Sequence, residues 1–256
     1  MPIRALLFDL KVFAPVEINY QRAFDLMAKE FANNAKSAPQ DIFKQICLVK
    51  AKSSAKDYYE FSKRMSSLLD EIETSQVENV QLNSGVKNGL ELLESMNVSV
   101  VSLSQIGVKA TEKLLAGRGV APYVDEVIAR QSIDGPNDLV TRLNGALQKL
   151  NVKVEECVFF CNKLSDLKEA KSAKFRTVVL PSKGERLDLM MLENPDGVIL
   201  FLTELQNLLS LELARSSPTI AGESTPMGES VDMQPPYEGK SPTGSEEPVA
   251  RGQPTP

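Results

Sequence analysis

Apolar residues along this chain follow two rhythms. Short runs with few charges, such as Ile3–Phe8, Val98–Leu103, the passage closing at Ile128, Val154–Phe160 and Arg176–Leu180, have the length and branching of buried strands. Between them, apolar positions return at helical spacing. The pattern predicts helices over Val16–Asn33, Asp41–Lys50, Ala55–Glu73, Lys87–Met96 and Lys109–Gly119, then one up to Leu150 capped by Asn137 or Asp138. Leu167–Ala173 and a last amphipathic stretch to about Leu213 complete the series. Strands that alternate with helices make a parallel sheet covered on both faces, an α/β fold. From 15 to 78 almost nothing reads as strand, so that segment is expected to form a small helical bundle of its own.

In open parallel sheets the ligand crevice lies beyond the carboxyl ends of the strands. Five polar residues fall at or just past such ends: Asp9, Lys11, Ser104, Asn162 and Asp166. Ser102 is a second candidate hydroxyl on the same strand as Ser104. Side chains two apart in a strand point the same way, so Asp9 and Lys11 are expected to share a face where the first strand ends.

Composition then removes whole classes of chemistry. The 256 residues contain no histidine, which excludes Ser-His-Asp and Cys-His catalysis and every His-ligated metal site. Acid–base work is left to carboxylates, lysines, tyrosines and thiols. A net charge of -5 without a basic cluster argues against nucleic acid as a partner. No apolar run approaches the ~20 residues of a membrane span, and the start lacks the shape of a secretory signal. Cys47, Cys157 and Cys161 read as free thiols, which suits a reducing cytoplasm. From 215 to 256 the text turns to Pro, Ser, Thr, Gly and Glu with few large apolar residues. Such a tail is expected to stay disordered, since it buries too little surface to offset its ordering entropy.

The opening stretch Leu6-Leu7-Phe8-Asp9-Leu10-Lys11-Val12-Phe13 resembles the first motif of the haloacid dehalogenase superfamily, an apolar strand followed by Asp-x-Asp-Gly-Thr. The helical segment 15–78 corresponds to that family's inserted cap, and 1–14 with 79–214 to its α/β core. Gln81–Val86 resembles the turn before the next core helix, and Val98–Gln105 the strand that ends in a phosphoryl-binding hydroxyl, here Ser104. Cys161-Asn162-Lys163-Leu164-Ser165-Asp166 stands where the family writes Gly-Asp-Ser-x-x-Asp. Phosphoglycolate-phosphatase-like members with a helical cap are the nearest pattern. The resemblance implies Asp9 as the nucleophile, magnesium held by Asp9 and Asp166, and a lysine from a third motif.

Three positions depart from that pattern. Lys11 replaces the aspartate that serves as general acid, Asn162 replaces a metal-binding acid, and Ile133–Asp138 contains no lysine. Losing a positioned acid costs about 10²–10⁴ in rate. A lysine ammonium about 4 Å from a divalent ion costs roughly 8 kcal/mol at an effective dielectric of 20. The expectation is therefore a degenerate family member with no cofactor or weakly held magnesium, acting as a binding or regulatory module. Its partner would be a protein reached through the cap or tail, or a small anion. The alternative is an atypical phosphohydrolase with Asp9 as nucleophile, or a metal-independent dehalogenase.

Overall fold

The computed structural model describes residues 3–30, 41–96, 98–135, 138–182, 184–205 and 207. The expected tail at 215–256, the end of the last helix and Asn137 lie outside the described residues. Six strands form one parallel sheet: β1 (Ala5–Asp9), β2 (Ser99–Gly107), β3 (Glu126–Arg130), β4 (Cys157–Cys161), β5 (Arg176–Val179) and β6 (Gly197–Val198). Their order is β3-β2-β1-β4-β5-β6, so strand order reverses beside β1. In register, Phe8 pairs Ser102 on one side and Phe160 on the other, and Asp9 closes the ladder against Leu103.

The helices are α1 (Leu10–Phe13), α2 (Gln21–Glu30), α3 (Ile42–Lys52), α4 (Ala55–Gln76), α5 (Val86–Ser95), α6 (Val108–Gly117), α7 (Leu139–Leu150), α8 (Leu164–Ser172) and α9 (Leu187–Leu192). Alternation along β1 sends Leu6 and Phe8 to one face of the sheet and Ala5 and Leu7 to the other. The first face packs under α5 and α6 and contains a stack of Phe8 on Phe160, ring centroids 4.5 Å apart. The second packs under α7 and α8. Each fully buried Phe or Leu contributes about 1.5–3 kcal/mol, so β1, buried at all five residues, is the axis of the core.

Two expectations about local structure are corrected. The first long helix begins at Gln21, because Asn19 Oδ1 accepts from the Gln21 N–H and sets the start there. Likewise β1 does not continue to Lys11. The chain turns helical at Leu10, with Asp9 as N-cap of the single-turn α1 and its Oδ1 accepting the Lys11 N–H at 2.8 Å. The same-face rule for strands therefore does not apply to Asp9 and Lys11. Asn83 fixes this turn from below by donating its Nδ2 to the Lys11 and Val12 carbonyls at 3.2 and 2.9 Å.

Helices α2, α3 and α4 have a separate core, built on Met27, Ile46, Phe61, Met65 and Leu69 and joined by Ile133 from the loop after β3. They sit as a helical cap beside the carboxyl edge of β1–β3, and cap and core belong to one compact unit, Met1–Pro218. A buried ionic knot joins the two. Glu73 of α4 accepts from both sides of the junction: Arg130 Nη2 at 2.8 and 2.7 Å, the Gly107 N–H at 2.7 Å and the Tyr20 hydroxyl at 2.8 Å. The Arg130 guanidinium also lies 5.1 Å from the Phe43 ring centroid. Gly107 leaves room for this contact: a Cβ there would stand 3.1 Å from Glu73 Oε2, and the carboxylate would have to shift by a few tenths of an ångström.

Candidate active site

Four of the residues singled out in the sequence, Asp9, Lys11, Ser104 and Asn162, border two chambers rather than one, and Asp166 borders neither. A cavity of about 310 Å³ between core and cap is bordered by Asp9, Lys11 and Ser104, with Tyr20 and Phe43 from the cap side. A second, of about 570 Å³, lies on the other side of Lys11 and is bordered by Asn162 and Lys163. Lys11 borders both, together with Val16 and Glu17.

Asp9 is 4 % exposed. Burial, and then repulsion by Asp166, push its carboxyl up from the usual carboxylate range to about 6; the Lys11 N–H, Arg142 and the Lys11 amine oppose that rise. Asp166 is buried in the first turn of α8 and accepts from the Ser165 hydroxyl at 3.0 Å. The charge of Asp166 thus reaches Asp9. Lys11 pairs with neither in a salt bridge among the described residues. Burial and the neighbouring Lys163 amine pull its pKa down, while Asp9 and Asp166 hold it up from longer range.

The hydroxyls divide clearly. Ser104 sits just past the point where β2 stops pairing with β1, and its Oγ accepts from the Ile106 N–H at 3.2 Å and from Thr111 Oγ1 at 3.0 Å. It caps its own turn and still borders the Asp9 cavity. Ser102 points into the core face beside Phe8, and its Oγ has no hydrogen-bond partner among the described residues. Asn162 follows β4, is 6 % exposed, and its Oδ1 also lacks a partner. Cys161 is fully buried, and burial followed by Asp166 and Asp9 pushes its thiol up, so it is no nucleophile at neutral pH.

Arg142 is the functional candidate that pattern reading missed. It is 5 % exposed in the first part of α7, where Asp9 and Asp166 act on its charge. It supplies a cation close to where the third-motif lysine is absent. A signal was present: Leu139, Arg142, Leu143 and Ala146 form the buried stripe of α7, and a charged residue inside an apolar stripe must have a charged reason to be there.

No protein-family model matches the chain. A phosphoglycolate phosphatase of Nitrosococcus oceani is 29% identical over 130 residues, 50% of this chain and 57% of that protein, so the match spans a little over half of the relative's length. Among solved structures, a haloacid dehalogenase-like family hydrolase from Streptococcus pneumoniae superposes with a TM-score of 0.54 at 16% identity, covering 80% of this chain and 98% of that one. The chain has a haloacid dehalogenase-like fold. A predicted phosphoglycolate phosphatase from Haemophilus somnus superposes with a TM-score of 0.53 at 14% identity, covering 80% of this chain and 97% of that one. Helical cap and Rossmann-like parallel sheet follow the haloacid dehalogenase plan.

Magnesium, which the haloacid dehalogenase resemblance implies, does not fit the donor set. Among the described residues no three Asp, Glu, Cys or His side chains come together to hold a metal. Asp9 and Asp166 are the two carboxylates, Asn162 offers a neutral oxygen, and the charges of Lys11 and Arg142 already act on both carboxylates, with Lys163 beside Lys11. A hard divalent ion needs more oxygen ligands and less positive charge than this. Among the described residues no helix is long and apolar enough to cross a membrane.

Proposed function

We propose that this haloacid dehalogenase-fold protein is a catalytically silent phosphatase homologue that acts in the cytoplasm as an anion-binding, regulatory module. One observation carries the reading: two cations, Lys11 and Arg142, act on both Asp9 and Asp166, and Lys163 adds a positive charge beside Lys11. Such a site attracts an anion without a metal. It has no carboxylic acid placed to protonate a leaving oxygen, and its donor set leaves the charge of a phosphoryl transition state to fixed cations alone. Ligand occupancy, or a protein partner on the cap, would then be the output in place of turnover.

A second reading is favoured by the lowered pKa of Lys11. An ammonium made more acidic by burial and by Lys163 is a better proton donor than an ordinary lysine. Asp9 would attack phosphorus while Lys11 protonates the leaving oxygen, which gives an atypical phosphohydrolase.

An aryl phosphate assay of the full chain, with and without magnesium, separates the two. The binding reading expects wild type and Asp9→Asn to give the same background. Turnover that disappears in both Asp9→Asn and Lys11→Ala selects the hydrolase.

A further inference from the structure

The two chambers beside Lys11 offer a ligand different surroundings. The smaller one sets the carboxylate of Asp9 against a single amine, and its hydroxyl, Ser104, is engaged with Ile106 and Thr111. An anion entering there meets a buried negative charge. The larger chamber, on the far side of Lys11, is bordered by two amines, Lys11 and Lys163, neither of which forms a salt bridge among the described residues. Its one carboxylate, Glu17, is exposed and turns to water at little cost. Lys163 is also the N-cap residue of the nine-residue α8 and makes no side-chain capping bond; the first-turn N–H groups carry partial positive charge, and the buried Asp166 of the same turn sets one carboxylate against it.

Two further features mark the larger chamber as built for more than water. Asn162, 6 % exposed, borders it with an Oδ1 that no described residue hydrogen-bonds. Such an oxygen needs a donor, which the amine of Lys11 or Lys163, or the P–OH of a singly protonated phosphate-type group, can give. Leu200 and Phe201 are 56% and 59% exposed and form part of its wall. Open apolar side chains next to two ammonium groups suit a ligand that is anionic at one end and apolar at the other.

We infer that the chamber bounded by Lys11, Lys163, Asn162, Leu200 and Phe201 binds a small organic anion of phosphate type, with its head between the two amines and a ring-sized apolar body against Phe201. The inference rests on the reading of Lys11 as a ligand-binding group. It moves the ligand away from the Asp9–Ser104 side, where a hydrolysed phosphoryl group would have to sit.

The test is calorimetric titration of the full chain with phenylphosphonate, which cannot be hydrolysed as an ester, and separately with inorganic phosphate. Phenylphosphonate is expected to bind about tenfold more tightly than phosphate, the worth of a partly buried ring. Lys163→Gln weakens both about tenfold through the lost charge-assisted bond, whereas Phe201→Ala weakens phenylphosphonate alone. Lys168→Gln, on the outer face of α8 against Glu193, changes neither. Saturation transfer from the wild-type protein to the phenyl protons gives a readout that needs no variant. Equal affinity for the two ligands, indifference to Lys163→Gln, or absence of transfer to the ring overturns the site. Aryl phosphate turnover that depends on Asp9 would sink the silent-homologue reading and leave these binding outcomes to decide the chamber on their own.

Discussion

Asp9 and Glu73 are both buried carboxylates within the same unit, 4 % and 0 % exposed, yet their surroundings are opposite. Glu73 has donors on both oxygens: a guanidinium that reaches each, a phenol and a backbone N–H. Asp9 accepts the N–H of its own turn, is opposed by Asp166, and has no salt bridge to Lys11 among the described residues. A carboxylate that serves the fold is compensated on the spot. Asp9 is answered in part, by Lys11 and Arg142 from longer range and against the repulsion of Asp166, and the protein's stability bears the cost. That difference is why Glu73 reads as the fastener of the cap and Asp9 as the centre of the candidate site.

The most direct way to break the comparison is to strip Glu73 of its cation. Arg130→Met leaves a charged oxygen pair in the dry junction between α4 and β3 and is expected to cost about 3–5 kcal/mol in urea unfolding. Adding Glu73→Leu to the same chain should recover much of that loss, since an apolar pair of similar volume often replaces a buried ion pair well. A loss no larger than that of a surface ion pair, about 0–1 kcal/mol, would show that the knot does not hold the cap.

Asp9→Asn probes the other side with the opposite sign. Asp9 holds its proton more tightly folded than unfolded, with a folded pKa of about 6 against 3.8. The folded state therefore binds more protons between those values, and stability falls as pH rises through that window. The full cost of ionising Asp9 is about 3 kcal/mol. Asparagine keeps the Oδ1 that accepts the Lys11 N–H and removes the charge. The variant should be more stable than wild type by about 1–3 kcal/mol at pH 8, with the gap closing as pH falls toward 4. Urea midpoints across that range check it, and a gap independent of pH would mean that Asp9 carries no strain of charge.

How much of this was legible in the sequence follows from what each residue depends on. The strands were, because a parallel strand buried on both faces is a short apolar run and β1, β2, β4 and β5 are such runs. The helices of the cap were legible from their period. The direction of Lys11 was not, since it depends on the chain turning helical at Leu10, a turn set by the Asp9 cap and by Asn83 from a segment 72 residues later. Glu73 and Arg142 lay in plain view but were passed over. Each occupies a buried stripe, Glu73 four residues after Leu69 in α4 and Arg142 beside Leu143 in α7. Their partners come from other elements, so spacing shows that such a charge must be answered but not by what.

The smallest expected effect asks whether the two carboxylates are independent at all. Tyr20 touches both regions: its hydroxyl donates to Glu73 Oε1 at 2.8 Å, and its side borders the cavity that holds Asp9. Burial, followed by the charge of Glu73, raises the phenol's pKa, so it stays a donor throughout the accessible pH range. Tyr20→Phe removes that one donor and keeps the ring. Glu73 retains Arg130 and the Gly107 N–H, so the loss should be about 1–2 kcal/mol, below the full worth of a bond to an unsupported charge. If the regions are separate, the pH window over which Asp9→Asn gains stability stays in place when measured in the Tyr20→Phe background. A shift of that window would mean that the hydroxyl, or a water it orders, helps set the potential at Asp9, and that cap closure and the reaction centre respond to one another through this single side chain.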